Sequence, residues 1–230
     1  MKKLLCLVVV LASMSMTAQT KTELLEHYRA YYKQMKSQGD IQGVINAMTH
    51  LNVLEPSQAR LDTLAYIYVS EGRNMEALNT IGIENNPNDS DISTEVKALA
   101  LKALNQPERA LVFYNVLFDK EPNAYLAYEI ADLSVQIQDL ATAKAKVDYG
   151  IANVKDDMKR AFYETQRPYE VSMKGALKYL KALIMFNLNQ NDNIDTSIAL
   201  LDEALALDAN FNMAQITKDA LVARKAEKKE

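Results

Sequence analysis

The side chains that most often carry out chemistry in proteins are rare in this chain. It contains two histidines, His27 and His50, and one cysteine, Cys6. Neither histidine belongs to a His-x-x-x-His or Glu-x-x-His pattern, the spacings that bring metal ligands onto one face of a helix. We therefore expect both histidines to be ordinary surface or half-buried residues.

Acidic residues give no better catalytic candidate. Asp156–Asp157 and Asp202–Glu203 are neighbours in sequence, and adjacent side chains on a helix point in different directions. The chain also lacks a glycine-rich phosphate loop and a Gly-x-Ser-x-Gly turn. The sequence therefore predicts no catalytic residue, no metal ligand and no cofactor, and the protein is expected not to be an enzyme.

The N-terminus has the pattern of a secretory signal peptide. Basic residues follow Met1, an apolar run extends from Leu4 to Ala12, and small or weakly polar residues continue to Ala18. The run is well short of the roughly 20 residues needed to span a bilayer. A buried N-terminal helix is the alternative to a signal peptide. We predict cleavage after Ala18 and export to the periplasm or beyond. Cys6 lies at the start of the run, where it cannot be a lipoprotein cysteine.

Charge and composition indicate the class of partner and the fold class. The chain has 26 basic and 30 acidic residues, and loss of the two leader lysines leaves 24 against 30, a net charge near −6. This balance argues against nucleic acid as the main partner. Only 6 glycines, 5 prolines and no tryptophan are present. Since β-branched residues at alternating spacing are scarce, local preference indicates an all-α protein.

The clearest periodic pattern lies in Leu64–Leu78 and the residues just before it. Apolar residues recur there at the three- and four-residue steps that place side chains on one helical face, namely Leu61, Leu64, Ala65 and Tyr68. Gly72 then supplies a turn, and Ala77 opens a second periodic run. The stretch therefore predicts a helix, a turn and a second helix.

This pattern returns roughly every 34 residues and resembles the tetratricopeptide repeat (TPR). The resemblance covers most of the chain, although single repeats depart from the family pattern. It implies an all-α, right-handed superhelical solenoid of about five helical hairpins, with a terminal capping helix and one irregular insertion. Each hairpin has two apolar faces and buries both only by stacking on its neighbours.

The register of the repeats gives the expected domain boundaries. We predict a signal peptide at 1–18 and a repeat domain at 19–230, whose parts are repeats at about 20–56, 57–90, 91–122, 123–154 and 173–209, the insertion at 155–172 and the terminal helix at 210–226. Pro168 cannot lie inside a helix, and aromatic and β-branched residues flank it. Two short strands therefore fit the insertion best, and a helix over 157–164 is the alternative.

The resemblance implies binding of a protein or peptide on the concave side, which first helices line. The inward ridge of those helices offers six candidate partner-binding residues: Arg29, Lys33, Tyr66, Lys102, Tyr125 and Tyr128. Their mixture of aromatic area and positive charge suits an extended or acidic peptide. Some family members bind a terminal carboxylate with lysine, arginine and asparagine, but this chain does not reproduce that set.

The alternative function is a structural subunit of a cell-envelope assembly, held by the convex face or the ends.

Overall fold

The computed structural model describes residues 20–227, so the predicted leader at 1–18 lies outside the described part. The described residues form eleven α-helices and one two-stranded sheet. They belong to two compact units, one ending at Ile81 and the other beginning at Gly82. Among residues 20–227, no helix combines the length and the apolar content required to cross a membrane.

The first unit contains four helices: α1 (Lys21–Gln38), α2 (Ile41–Leu54), α3 (Gln58–Ser70) and α4 (Asn74–Ile81). The second unit continues with α5 (Asp91–Ala103), α6 (Pro107–Lys120), α7 (Ala124–Gln136), α8 (Leu140–Asn153), strands β1 (Lys159–Phe162) and β2 (Tyr169–Ser172), and helices α9 (Met173–Leu188), α10 (Ile194–Leu207) and α11 (Asn212–Glu227).

Helices pair in chain order, which confirms the predicted repeat architecture. Antiparallel hairpins form from α1 and α2, α3 and α4, α5 and α6, α7 and α8, and α9 and α10, and α11 packs on α10. The strands β1 and β2 form an antiparallel hairpin in which Phe162 pairs with Tyr169. The extended interpretation of the insertion is therefore correct, and the alternative helix over 157–164 does not form.

Four of the hairpin turns share one backbone geometry. Gly39 and Gly72 adopt φ values of 71° and 72°, the left-handed conformation that glycine reaches without steric cost. Asn105 and Gln138 take the same role in the next two hairpins, with φ values of 55° and 63°. In every case the following N–H donates to the carbonyl five residues earlier. The turn is thus set by the helix ends, and glycine only makes it easier.

Helix starts follow the local sequence. Thr20 accepts a hydrogen bond from the N–H of Glu23, whose carboxylate accepts one from the N–H of Thr20 in return. These reciprocal bonds form a capping box. Pro107 is the first residue of α6, where its missing N–H would have had no partner inside the helix.

The core of the first unit lies between α2 and α3, and includes Val44, Met48 and Leu64. The apolar stripe of α1, which is Leu25, Tyr28, Tyr32 and Met35, is half-buried. No residue of α1 is fully buried, since this helix packs mainly against α2.

In the second unit the β-hairpin completes the core. Its Phe162 ring lies 4.8 Å from the Phe211 ring, which in turn lies 5.2 Å from Tyr179 on α9. Phe211 is fully buried as a result. The insertion therefore contributes aromatic side chains that cover the junction of α9 with the segment before α11.

One buried cation fixes the loop that precedes α5. The Lys97 side chain is 1% exposed, and its ammonium group donates to Asp89 at 2.5 Å and to the carbonyl oxygen of Glu84 at 2.7 Å. Burying an ammonium group is costly unless it is paired and hydrogen-bonded. These two bonds therefore hold the loop against α5.

Completely buried alanines occur in both helices of three consecutive hairpins. Each of these hairpins has one such alanine in its first helix and one in its second, namely Ala65, Ala77, Ala98, Ala110, Ala131 and Ala143. A larger side chain at such a position must displace its neighbours, because protein interiors are close-packed.

We predict that Ala77→Leu lowers the free energy of unfolding by about 1–3 kcal/mol, because three extra carbon atoms enter a filled contact between α3 and α4. The measurement is the urea denaturation midpoint by circular dichroism. Asn79→Ala, an exposed change two residues away, should stay within about 0.5 kcal/mol of the wild type. Equal effects of the two substitutions would refute the packing assignment.

Candidate functional site

A groove lies in the second unit between the first helices of two successive hairpins, α5 and α7. Its volume is about 620 Å³. The α5 wall presents Asp91, Glu95 and Leu99, and α6 forms the floor with Tyr114 and Leu117. Tyr125, Leu126 and Glu129 form the α7 wall. The repeat architecture therefore creates this groove, since stacked hairpins place their first helices side by side.

A carboxylate between two cations joins the α7 wall to its surroundings. Glu129 accepts a hydrogen bond from the Lys102 ammonium group and one at 2.8 Å from the Arg160 guanidinium group. These cations come from α5 and from the β-hairpin, so the three side chains connect three elements. Arg160 also lies 3.8 Å above the Tyr128 ring, as a cation–π contact.

The same network controls the ionisation of its acids. Burial raises the pKa of Glu129, but the charges and hydrogen bonds of Lys102 and Arg160 outweigh burial and hold that pKa below its usual range. Burial dominates for Asp132 and raises its pKa, since its only ion pair in the described chain is with Lys102 at 3.9 Å. Glu129 is therefore the acid that the network stabilises as an anion.

A buried hydroxyl group on the groove floor has no partner. Tyr114 is 3% exposed, and its hydroxyl makes no hydrogen bond to any atom of residues 20–227. Burial raises the pKa of Tyr114, and the carboxylates of Glu129 and Glu95 raise it further. The hydroxyl therefore lies within electrostatic reach of both groove walls.

Two carboxylates of the groove are unpaired. Asp91 accepts a hydrogen bond from Lys120 at 2.7 Å, and Glu129 is neutralised as described above. Neither Glu95 nor Glu121 has an ion-pair or hydrogen-bond partner for its carboxylate within the described chain. The groove thus carries an excess of negative charge.

A second depression continues the groove past the start of α7. It has a volume of about 520 Å³ and reaches Tyr149 on α8 and Met158 near the β-hairpin. Glu121, Asn123 and Tyr125 line both depressions. Tyr125, which is 45% exposed, therefore stands between two adjoining recesses.

Three of the six candidate binding residues lie in the first unit. Arg29 is exposed and pairs with Glu55 at 3.0 Å, and Tyr66 is 48% exposed. Lys33 is exposed and has no ion-pair partner among residues 20–227. None of the three lines the groove or the second depression, and their role in binding remains a prediction.

The other three candidates lie in the second unit, where their environments differ. Tyr125 lines the groove. Lys102 is half-buried and engaged with Glu129 and Asp132. Tyr128 is 4% exposed, so the expectation that its ring faces a partner was wrong.

The error at Tyr128 has a geometric cause. Residues four and seven positions after Tyr125 share its face of α7, and these are Glu129 and Asp132. Tyr128 belongs instead to the face of Ala124 and Ala131, which packs into the core of the second unit. The β-hairpin then covers the Tyr128 ring with Arg160.

Sequence reasoning missed Tyr114, Glu129 and Arg160 as site residues. Tyr114 belongs to the apolar pattern of a second helix, and only the structure shows that its hydroxyl is unsatisfied. Helical spacing from Tyr125 could have indicated Glu129. No sequence signal connects Arg160 with α7, since 31 residues separate it from Glu129.

The histidines take structural positions, and no metal site is present in the described chain. The His50 ring stacks on Tyr28 at 4.3 Å, and His27 contacts the edge of the same ring. Within residues 20–227, no group of three or more histidine, cysteine, aspartate or glutamate side chains is arranged to hold a metal ion.

Known structures with this arrangement identify the fold. A tetratricopeptide repeat protein from Parabacteroides merdae aligns with a TM-score of 0.64 and 18% identity, over 86% of this chain and 72% of its own. YrrB, described as a TPR protein with an unusual peptide-binding site, aligns with a TM-score of 0.64 and 14% identity, over 87% of this chain and 98% of its own. Neither the models of known protein families nor curated protein sequences match the chain.

A third structure, the Cut9–Hcn1 assembly of the APC/C, aligns with a TM-score of 0.51 and 12% identity, over 84% of this chain and 35% of the matched chain. These identities are low, so the alignments show the fold alone. The chain has the tetratricopeptide repeat fold, as the sequence pattern predicts.

We predict that Glu129→Gln destabilises the second unit by about 1–3 kcal/mol at neutral pH, because Lys102 and Arg160 lose their shared anion. The depressed pKa of Glu129 means that its stabilisation is complete above the ordinary glutamate pKa of about 4.3 and disappears as the pH falls through the lower folded value. The difference between variant and wild type should therefore shrink in acid.

Denaturation midpoints measured from neutral pH to acid test this expectation. Glu170→Gln, an exposed change on β2, provides the control and should follow the wild type at every pH. A Glu129→Gln deficit that stays constant into strong acid would contradict the assigned role of the carboxylate.

Proposed function

We propose that the protein is a non-enzymatic scaffold that binds an extended segment of a partner protein along the first-helix face of its second unit. The observation that carries this proposal is the groove between α5 and α7, together with the recess that adjoins it at Tyr125. Two adjoining recesses separated by an exposed tyrosine suit successive side chains of an extended chain. Tyrosine is also enriched among residues that dominate binding energy.

The fold supports the same proposal. Repeat proteins present extended surfaces on which partners dock, and one structural neighbour, YrrB, is described as having a peptide-binding site. The low identity means that this likeness gives the class of interaction and no residue roles. We assign the groove from the side chains of this chain alone.

Site-specific cross-linking in the native host tests the proposal. A photoreactive phenylalanine analogue replaces Tyr125 in one variant and Tyr163 in another. Both tyrosines are exposed, Tyr125 by 45% in the groove and Tyr163 by 75% at the tip of the β-hairpin. The two variants therefore differ in the location of the probe and little in its chemistry.

We expect a discrete cross-linked partner from the position of Tyr125 and a much lower yield from that of Tyr163. Adducts from Tyr163 without any from Tyr125 would overturn the groove assignment. They would favour the alternative in which the protein is a structural subunit of an envelope assembly. Absence of adducts at both positions would also count against a groove partner.

Export is a further part of the proposal and depends on the leader at 1–18. We propose that the mature protein begins near Gln19 and works in the periplasm or outside the cell, without a lipid anchor. Mass spectrometry of the protein from fractionated cells should find a chain that lacks residues 1–18 outside the cytoplasm. A full-length chain confined to the cytoplasm would refute export.

A further inference from the structure

We propose that the groove between α5 and α7 binds a lysine or arginine side chain of the partner segment. This inference rests on the proposed function and names the chemistry that the groove recognises. Three features carry it: two unpaired carboxylates, one buried hydroxyl group without a partner, and apolar side chains that line the same groove.

The carboxylates set the sign of the charge. Of the acids in and beside the groove, Asp91 is paired with Lys120, and Lys102 and Arg160 neutralise Glu129 and Asp132. Glu95 on α5 and Glu121 at the end of α6 remain. Neither carboxylate forms an ion pair with a cation among the described residues, so a cationic ligand gains attraction without displacing an existing ion pair.

The dipoles of the helices that end at the groove do not change its preference for a cation. The N-termini of α5 and α7 lie at the groove and favour anions, but the side chains of Ser90 and Asn123 already cap them. The C-terminus of α6, at Glu121, lies at the same place and favours cations. The helix dipoles therefore oppose one another. The carboxylates then determine that the groove favours a cation.

Tyr114 is an independent observation that points to a ligand. A buried hydroxyl group without a hydrogen bond is unfavourable, and native structures contain few such groups. Tyr114 lines the groove together with Glu95 and Glu129, and its hydroxyl has no hydrogen-bond partner among the described residues. An ammonium or guanidinium group donates hydrogen bonds only, so it would satisfy the lone pairs of the hydroxyl and the Glu95 carboxylate together.

The remaining lining fits the body of such a side chain. Leu99, Leu117 and Leu126 provide apolar surface for the methylene groups of a lysine or arginine. Tyr125 stands at the rim, where its exposed ring can lie against a cation or against the peptide backbone. The sequence predicts an extended or acidic peptide because of the positive charges among the candidate residues. In this unit, however, Lys102 already forms an ion pair with an acidic side chain of the protein itself.

The first experiment uses the mature full chain and capped amino acids as probes. Amide chemical shifts are followed by NMR during titration with N-acetyl-lysine N-methylamide, N-acetyl-arginine N-methylamide and the uncharged N-acetyl-norleucine N-methylamide. We expect saturable shifts at residues of the groove with both cations, and at least about fivefold weaker binding of norleucine. Equal binding of norleucine, or shifts elsewhere only, would overturn the proposal.

Two variants separate recognition from folding. Glu95→Gln keeps the shape of an exposed side chain and should weaken cation binding by about five- to tenfold, while the matched exposed change Glu108→Gln on α6 should leave it unchanged. Tyr114→Phe removes the unsatisfied hydroxyl, and should weaken cation binding without lowering the Tm. A purely structural role for Tyr114 predicts the opposite, a lower Tm with unchanged binding.

Cross-linking then distinguishes this inference from the proposed function. In a Glu95→Gln background, the adduct formed from the position of Tyr125 should fall severalfold and should map to a segment that contains lysine or arginine. An undiminished adduct at a segment without basic residues would refute the cation site and leave the groove as the peptide site. Absence of the adduct in both backgrounds would refute the groove itself.

Discussion

The burial of alanine in both helices of a hairpin is the packing constraint on which the rest of this structure depends. In three consecutive hairpins, an alanine of the first helix and an alanine of the second are both completely buried. Small side chains let the two backbones come together, and larger apolar residues fill the space around them. In each of these hairpins the first helix packs against the second.

Packing of this kind leaves the first helices of adjacent hairpins side by side, and the polar groups between them decide what the surface can bind. In the second unit, Glu129 neutralises cations that would otherwise attract an acidic partner. The groove is left with Glu95, Glu121 and the hydroxyl of Tyr114. Its preference therefore comes from the groups that the intramolecular network leaves unpaired, and the overall charge of the chain does not define it.

The β-hairpin interrupts the helical repeats and also stabilises the second unit. Its Phe162 packs on Phe211, and its Arg160 covers Tyr128 and binds Glu129. One short insertion therefore supports the core at one end and the groove wall at the other. A change in this hairpin is expected to influence the groove through Glu129, without any contact between the hairpin and a ligand.

The sequence by itself determined the fold class, the hairpins and the extended form of the insertion. Periodic apolar residues, the turn at Gly72 and the helix-breaking Pro168 act through local geometry, which short spacings encode. The tertiary structure alone decided which polar groups are satisfied. Tyr128 is buried and Tyr114 lacks a partner because residues far apart in sequence, such as Glu129 and Arg160, meet only after packing. Helical spacing fixes the face on which a residue lies, but the charge and hydrogen bonds at that face depend on the elements packed against it.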